Sequence, residues 1–222
     1  MTKKLVILIA PPGAGKGTQA NLLAKKFGLF HLETAKIIED KFKNAIPEDP
    51  VIKAAKEKWL DGGLVEPKVV AQWFLEKITK LADENNSVIL SGSPRTLYEA
   101  KFDMPILSRL FGKENIKIFH IKLSETESIK RNSGRRICKA HRHPIPNFPE
   151  YKGLTMCPED GSELMRRELD KPEVIRQRYL VYLEETAPIL NYFHENNYPV
   201  TEINGEQPIE KVFEDIRKNF ND

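Results

Sequence analysis

The sequence has no long hydrophobic segment and no marked excess of charge. Every apolar stretch is shorter than the ~20 residues that a membrane-spanning helix requires. The chain carries 35 basic and 32 acidic residues, a formal net charge of +3, so its overall charge does not indicate binding to nucleic acid or to an anionic membrane. The first apolar run is too short for a signal peptide and leads directly into Pro11 and Pro12. We therefore expect a cytoplasmic protein without nucleic-acid or membrane partners.

Cysteine is also scarce, because the sequence contains only Cys138 and Cys157. A disulfide is unusual in a protein that is not exported, and both cysteines lie beside other residue types that bind metals. At 222 residues the chain is long enough to bury one sizeable core. We therefore expect a single domain with insertions rather than two independent domains.

Short β-rich runs alternate with longer stretches of helical periodicity. The first run, residues 3–10, is continuously apolar, which is typical of a strand covered on both faces. The other predicted strands are 28–33, 87–92, 117–124 and 199–204, and the predicted helices are 16–27, 34–45, 51–60, 67–82, 97–110, 125–135, 172–195 and 208–219. The alternation predicts an α/β fold with a parallel sheet of these five strands, flanked by helices. Ligands of such sheets bind beyond the carboxyl ends of the strands.

The segment between the first strand and the first helix is rich in glycine and reads Gly13, Ala14, Gly15, Lys16, Gly17, Thr18. Backbone N–H groups of such a loop can surround a polyphosphate, while Lys16 supplies a positive charge and Thr18 can lie near a Mg²⁺ ion. The match to G-x-x-x-x-G-K-[ST] is imperfect, since Ala10 replaces the first glycine and Gly17 precedes Thr18. We predict a nucleotide phosphate site; the alternative is a plain turn between strand and helix.

Motifs along the whole chain resemble those of the nucleoside monophosphate kinases, and of adenylate kinase in particular. PPGAGKGTQ, residues 11–19, is similar to the family pattern GxPGxGKGTQ, and SGSPRTLYEA, residues 91–100, is similar to DGFPRTLPQA. Further matches are HLETAKII (31–38), GGLVEPKVV (62–70), GRRIC (134–138), residues 176–193 and INGEQPIEKV (203–212).

The resemblance implies a three-layer P-loop NTPase fold in one domain spanning residues 1–222. Its core would comprise residues 1–33, 67–133 and 171–222. A helical insert at residues 34–66 would bind the monophosphate, and a mobile lid at residues 134–170 would close over ATP. Family members with such a lid are monomers, so a monomer is expected.

The resemblance also implies transfer of the γ-phosphoryl group of MgATP to a nucleoside monophosphate, with AMP as the expected acceptor. This reaction requires cations around the phosphoryl oxygens and the exclusion of water. The implied catalytic residues are Lys16, Arg95, Arg135, Arg167 and Arg178. Those implied for ATP binding are Gly13, Ala14, Gly15, Lys16, Gly17, Thr18, Arg131, Arg135 and Gln207. Those implied for AMP binding are Thr34, Val65, Gly92, Arg95, Glu99, Arg167 and Arg178.

A proline-rich stretch within the lid contains two short clusters of metal-binding residue types, Cys138 to His141 and Cys157 to Asp160. Two thiolates, an imidazole and a carboxylate indicate a tetrahedral Zn²⁺ site, and related long lids hold a structural zinc at the same clusters. His143 competes with His141 for the imidazole position. The alternatives are a metal-free lid held by hydrogen bonds and a disulfide between the cysteines.

Several positions depart from the family pattern. Glu39 stands where the family has an arginine on the acceptor phosphate, and Ser91 replaces the aspartate that orients water around Mg²⁺. Leu169 replaces the first of two aspartates, and Ser93 replaces an aromatic residue. Glu99 stands at the glutamine that reads the acceptor adenine, and a carboxylate there suits a base with N–H donors such as guanine.

Different functions are compatible with these departures. The first is an active kinase, with reduced activity or altered acceptor specificity, that uses Lys36 or Lys43 instead of the missing arginine. The second is an inactive relative that binds ATP without turnover. A nucleic-acid binder built on the lid has little support, because few aromatic residues lie among the metal-binding residues. The presence of Arg95 and Arg178 favours the active kinase.

Overall fold

The computed structural model describes residues 3–46, 49–60, 65–141, 143–147, 149–166 and 170–220. Its strands are β1 (Leu5–Ile9), β2 (Phe30–Leu32), β3 (Val88–Leu90), β4 (Ile116–Lys122), β5 (Arg136–Cys138), β6 (Pro144–Ile145), β7 (Leu164–Met165) and β8 (Val200–Asn204). Its α-helices are α1 (Lys16–Phe27), α2 (Thr34–Asn44), α3 (Pro50–Leu60), α4 (Pro67–Asp83), α5 (Leu97–Phe111), α6 (Glu125–Ser133), α7 (Pro172–Val181), α8 (Pro188–Glu195) and α9 (Ile209–Phe220).

The main sheet has five parallel strands in the order β2-β3-β1-β4-β8. This confirms the predicted α/β fold class and each of the five predicted strands. The predicted helix over residues 172–195 is interrupted by a π-helical turn at Tyr182–Thr186, which separates α7 from α8. No described helix is both long enough and apolar enough to cross a membrane.

The central strand β1 is buried on both faces, as its uninterrupted apolar sequence predicts. Leu5, Ile7 and Ile9 pack in a cluster with the apolar faces of α4, α5 and α8. Val6 and Leu8 pack in a second cluster with α1 and α9 on the other face. Alternate residues of one strand thus anchor both helical layers, and this fixes the loop that follows β1 at the carboxyl edge of the sheet.

Two insertions extend from this core. Helices α2 and α3 lie between β2 and α4, and their buried residues Ile37, Ile38, Ile52 and Ala55 join the cluster on the α4 side. Strands β5, β6 and β7 form a separate antiparallel sheet in the order β6-β5-β7. The lid strands were not predicted, because runs of two or three residues are too short to show a period. The assignment of residues 34–66 and 134–170 as moving units stays a prediction.

Helix α5 carries an acidic residue on its buried face. Asp103 is fully buried, and within the described part of the chain neither of its carboxyl oxygens has a hydrogen-bond partner. Burial, together with the charge of Glu99 one turn earlier, raises the pKa of the Asp103 carboxyl to about 8. Asp103 is therefore mainly a neutral carboxylic acid at pH 7.

Candidate active site

The loop after β1 has the backbone conformation that its glycines permit. Gly13 has φ 80° and Gly15, the N-cap residue of α1, has φ 82°, in the left-handed region that glycine adopts without strain. A Cβ on Gly13 would also collide with the side-chain amide of Asn132. Asn132 is buried and donates to the carbonyl of Ser128 at 2.9 Å, and the Ser128 hydroxyl donates to the carbonyl of Pro12 at 2.7 Å. Helix α6 therefore holds the loop in place from behind.

Lys16 begins α1, and its ammonium group turns back over the loop. The Nζ atom donates to the carbonyl of Ala10 at 2.5 Å and to that of Pro11 at 3.2 Å. Burial, with the charges of Arg95 and Arg178, lowers the pKa of Lys16 to about 7. Three cationic side chains therefore converge at this point, an arrangement that favours a bound polyphosphate.

The loop forms one wall of a cavity of about 340 Å³. The cavity lies where β1 and β3 end, as parallel α/β sheets predict. Its lining includes every predicted ATP-binding residue, namely Gly13, Ala14, Gly15, Lys16, Gly17, Thr18, Arg131, Arg135 and Gln207. Lid residues Pro144, Pro146 and Asn147, together with Ile209 and Val212 of α9, complete the walls. A volume of this size falls in the range of small-ligand sites.

The arginines of the cavity are held by carboxylates. Arg135 donates from Nε and Nη2 to the two carboxyl oxygens of Asp170, at 3.0 and 2.7 Å. Arg178 Nη1 lies 3.9 Å from the same carboxylate, which is almost fully buried. Arg131 donates to Glu127 at 2.8 Å within α6. These pairs restrain guanidinium groups that line the cavity, and a guanidinium group suits bidentate binding of phosphate oxygens.

Other predicted residues gather beside the cavity at the end of β3. Arg95 donates from Nε to the carbonyl of Gly92 at 2.8 Å, and the hydroxyls of Thr34 and Ser93 lie 2.8 Å apart. A Cβ on Gly92 would lie 3.1 Å from both Arg95 Nη2 and Thr34 Oγ1, so glycine allows this close approach. Val65 is buried in the adjoining core cluster. The structure therefore brings Thr34, Gly92 and Arg95 into contact.

Glu99 has a structural partner in the same region. Its carboxylate accepts a hydrogen bond from the backbone N–H of Arg95 at 2.6 Å, and its own N–H donates to the N-cap hydroxyl of Thr96 at 3.2 Å. Burial raises the pKa of the Glu99 carboxyl. Glu99 therefore stabilises the start of α5, and its side chain is only 4% exposed. The hydrogen bond to the Arg95 amide explains why position 99 can hold a carboxylate, although the family resemblance implies that this position contacts the acceptor base.

The remaining predicted residues have varied positions. Gln207 donates to Asp215 at 2.7 Å, so α9 holds its side chain at the cavity wall. Glu39 is half-buried on α2. Lys36 forms an ion pair with Glu33, the N-cap residue of α2. Lys36 was suggested as a substitute for the arginine missing at position 39, but its ammonium group is engaged by Glu33 instead. Arg167 and Leu169 lie outside the described residues.

The lid brings four potential metal ligands together: Cys138, His143, Cys157 and Asp160, whose donor atoms all lie within 4.8 Å of one another. Asp160 Oδ2 is 3.3 Å from both Cys138 Sγ and His143 Nδ1, and Cys157 Sγ is 3.5 Å from His143 Nδ1. A tetrahedral zinc with bonds of about 2.0–2.3 Å places its donors about 3.3–3.8 Å apart. The donor set therefore fits Zn²⁺ in both chemistry and spacing.

The imidazole in this group is that of His143, the alternative to His141 that the sequence left open, so the spacing favours His143 as the ligand. Which histidine binds a metal stays a prediction. The backbone N–H groups of both histidines donate to Cys138 Sγ, at 3.3 and 3.2 Å. The His143 ring lies beside Cys157, with Nδ1 3.5 Å from Sγ, whereas His141 is outside the group of four and contacts its Asp160 carboxylate through Nδ1, at 2.8 Å from Oδ2. Burial would raise the pKa of the Cys138 thiol, but hydrogen bonds from Ser162 and these two amides outweigh burial and lower it.

Two contributors to the site were missed from the sequence. Asn132 supports the loop, and Glu33 lines the cavity. Asn132 lies four residues after Ser128 on a predicted helix, and this spacing places the two polar side chains on one face. The spacing of Ser128 and Asn132 in the sequence could therefore have identified Asn132 as a partner of the loop. Glu33 precedes a predicted helix, where an acidic residue is ordinary, and nothing in the sequence distinguished it.

Comparison with known proteins agrees with this geometry. The adenylate kinase family model matches residues 8–198. An adenylate kinase of Oceanobacillus iheyensis is 34% identical over 214 residues, which are 95% of this chain and 96% of the relative. Adenylate kinases of Methanothrix thermoacetophila and Kosmotoga olearia are 34% and 35% identical, over 96% and 97% of this chain and 96% and 98% of their own lengths. On the match of the family model and the identity to these relatives over nearly the whole chain, the chain belongs to the adenylate kinase family.

Proposed function

We propose that this protein transfers the γ-phosphoryl group of MgATP to AMP and produces two molecules of ADP. The observation that carries the proposal is the convergence of Lys16, Arg131, Arg135 and Arg178 on one cavity beside the glycine loop. Phosphoryl transfer depends mainly on such positioning and on charge stabilisation. The relatives, each named adenylate kinase, favour an active enzyme over an inactive homologue that only binds ATP.

On the ATP side, the amides of Gly13–Thr18 would bind the phosphate chain. Lys16 would exchange the carbonyls of Ala10 and Pro11 for phosphate oxygens, and Gln207 would lie near the base. When bound, Mg²⁺ neutralises charge on the β and γ phosphates, and the hydroxyl of Thr18 in the cavity wall is a suitable ligand for it. Arg131 and Arg135 would stabilise the charge of the transferred group.

On the acceptor side, Arg95 and Arg178 would bind the phosphate of AMP, with Thr34, Gly92 and Val65 around the nucleoside. Arg167 would approach from the lid when the lid closes. Closure would exclude water, which competes with AMP for the phosphoryl group. Glu99 would remain a helix-capping residue. We further propose a monomer that acts without nucleic-acid or membrane partners.

The proposed reaction is tested by following diphosphate production from ATP, Mg²⁺ and each nucleoside monophosphate in turn. We expect AMP to be the preferred acceptor and GMP to be poor. Nucleotide binding without diphosphate from any monophosphate would identify the protein as an inactive homologue. Preference for GMP over AMP would show that Glu99 contacts the base after all.

Replacing Glu39 by arginine is expected to improve use of AMP. The half-buried carboxylate at this position repels the acceptor phosphate, and the family resemblance places a cation there. A single charged contact to a phosphate contributes about 1.5–3 kcal/mol, so we expect KM for AMP to fall about tenfold or more while KM for ATP is unchanged. Asp40→Arg is the matched control, because it makes the same charge change at an exposed neighbouring position. An equal fall in both variants would indicate general electrostatic attraction instead.

We also propose that the lid binds a structural Zn²⁺ through Cys138, His143, Cys157 and Asp160. Four protein ligands leave no coordination site for substrate, so the metal would stabilise the lid rather than take part in the reaction. His141 would orient Asp160 from outside the metal site. The proposal is supported by the donor spacing, and the alternatives are a lid held by hydrogen bonds or by a disulfide.

Metal analysis of two histidine variants separates the ligand assignments. We expect about one zinc per chain in the purified wild-type protein and in His141→Ala, and strong depletion in His143→Ala, because removal of a direct ligand opens the tetrahedral site. Thermal unfolding of His143→Ala should begin at a lower temperature. Depletion in His141→Ala with retention in His143→Ala would reverse the assignment. A wild-type protein that binds no zinc after reconstitution would favour the metal-free lid.

A further inference from the structure

The nucleotide cavity contains a carboxylate that the proposed roles do not use. Glu33 is the one acidic residue among the described residues that line the cavity. It occupies the N-cap position of α2, yet its side chain makes no capping hydrogen bond. The carboxylate is 29% exposed and its Oε1 atom lies 3.9 Å from His31 Nδ1. Glu33 is therefore partly desolvated and faces a site whose other charged side chains are cationic.

Beside Glu33, a chain of hydrogen bonds orients the hydroxyl of Ser91. His31 Nδ1 lies 2.7 Å from the amide oxygen of Asn21, an acceptor, so Nδ1 carries the proton. His31 Nε2 is then an acceptor, and it receives the hydroxyl proton of Ser91 at 2.6 Å. Burial, opposed by the charge of Glu33, lowers the pKa of His31 and favours this neutral form. The lone pairs of Ser91, which also lines the cavity, are left available as acceptors.

The bound metal of MgATP needs such acceptors. Mg²⁺ keeps several water molecules when it binds phosphates, and those waters donate hydrogen bonds to nearby oxygens. A carboxylate is a stronger acceptor than a neutral oxygen. The family resemblance places this carboxylate at position 91, where the chain has serine. The carboxylate that the cavity does contain is that of Glu33. It lies near Nδ1 of His31, at 3.9 Å, whereas Ser91 contacts Nε2 of the same ring.

On the basis of the proposed kinase function, we propose that Glu33 is the metal-positioning carboxylate of this protein. Together with Ser91, it accepts hydrogen bonds from the water molecules on the Mg²⁺ of ATP. The missing charge at position 91 is thereby supplied from the start of α2. Lys36, the present partner of Glu33, is 68% exposed, and an exposed ion pair contributes little. The carboxylate can therefore exchange Lys36 for metal-bound water at small cost.

The inference is tested with Mn²⁺ as a spectroscopic substitute for Mg²⁺. Electron paramagnetic resonance measures free Mn²⁺ during titration of the full-length protein with the β,γ-imido analogue of ATP. We expect Glu33→Gln to weaken Mn²⁺ binding to the protein–nucleotide complex by about tenfold, the usual effect of losing a partner that holds a metal's ligands. Binding of the analogue without metal should be unchanged. The Mg²⁺ concentration that half-activates ADP formation should rise by a similar factor.

Moving the charge provides a second, independent measurement. The double variant Glu33→Ser, Ser91→Asp removes the carboxylate from position 33 and places one at position 91, and it should recover most of the lost Mn²⁺ affinity. Glu76→Gln is the matched control, because it removes the same charge from an exposed residue of α4 outside the cavity. Wild-type Mn²⁺ affinity in Glu33→Gln, with intact binding of the analogue, would overturn this inference alone. Failure of the wild-type protein to bind the analogue at all would overturn the proposed function itself.

Discussion

Replacing Lys16 by methionine is expected to reduce kcat for ADP formation by about 10² to 10³-fold, the usual cost of removing one group that stabilises transition-state charge. Methionine keeps most of the apolar volume of the side chain but removes its positive charge. Lys16 lies inside the glycine loop, within reach of the carbonyls of Ala10 and Pro11, so its charge is the first that a phosphate in the loop would meet. Steady-state kinetics with ATP and AMP measure the effect.

The pH dependence of ATP binding distinguishes loss of this charge from general damage. The pKa of Lys16 is about 7 in the free protein, lowered by burial and by Arg95 and Arg178. Bound phosphates favour the protonated amine, so binding takes up a proton and affinity should fall as the pH rises above about 7. Lys16→Met should lose this dependence. Lys25→Met, at an exposed position in the last turn of α1, should retain wild-type kcat and the wild-type pH profile.

Replacing Asp103 by asparagine is expected to stabilise the protein at alkaline pH. An aspartate in the unfolded chain loses its proton near pH 4, whereas folded Asp103 holds its proton up to about pH 8. Between these values the folded state binds the extra proton, so the free energy of unfolding decreases as the pH rises. The decrease over the full window of about four pH units is on the order of 5 kcal/mol. Asparagine has nearly the same shape and does not titrate, so the variant should lose this decrease.

Urea unfolding at about pH 5 and about pH 9 measures the effect, because the difference in unfolding free energy between the variant and the wild-type protein should be much larger at the higher pH. Asp83→Asn, at the exposed end of α4, is the control and should follow the wild-type protein at both values. A variant of Asp103 that tracks wild-type stability across this range would show that the carboxyl is ionised in the folded state. In that case, water molecules would have to reach the buried Asp103 carboxylate and hydrate it.

The parts of the fold that the sequence predicts well are those governed by local pattern. The apolar run of β1, the glycines at 13 and 15 and the helical periodicity of α1 each favour one conformation, and the structure has it. Asp103 follows a different rule. Its position in α5 is set by Ala100, Met104 and Leu107, which share its buried face, and an acidic residue in a helix is normally read as exposed.

The site shows the same division. Lys16 was predicted from the glycine-rich loop and the cavity arginines from the family resemblance, and the structure places Lys16, Arg131, Arg135 and Arg178 in the wall of one cavity. The grouping of His143, rather than His141, with the two cysteines depends on how two amides turn around Cys138 and on the pairing of β5 with its neighbours. The use of Glu99 as a capping residue and the place of Glu33 in the cavity likewise depend on contacts between segments that are distant in sequence. Such contacts leave little trace in local pattern.

The cavity wall that α9 provides has a consequence during synthesis on the ribosome. Gln19, at the beginning of α1, donates to the carbonyl of Ile209, 190 residues further along the chain. A nascent polypeptide can form β1 and the glycine loop early, but it gains the wall formed by Ile209 and Val212 only after almost all of the chain described here has emerged. Cellular ATP should therefore bind weakly to translation intermediates. It should stabilise the folded protein by binding only after α9 has packed against the cavity.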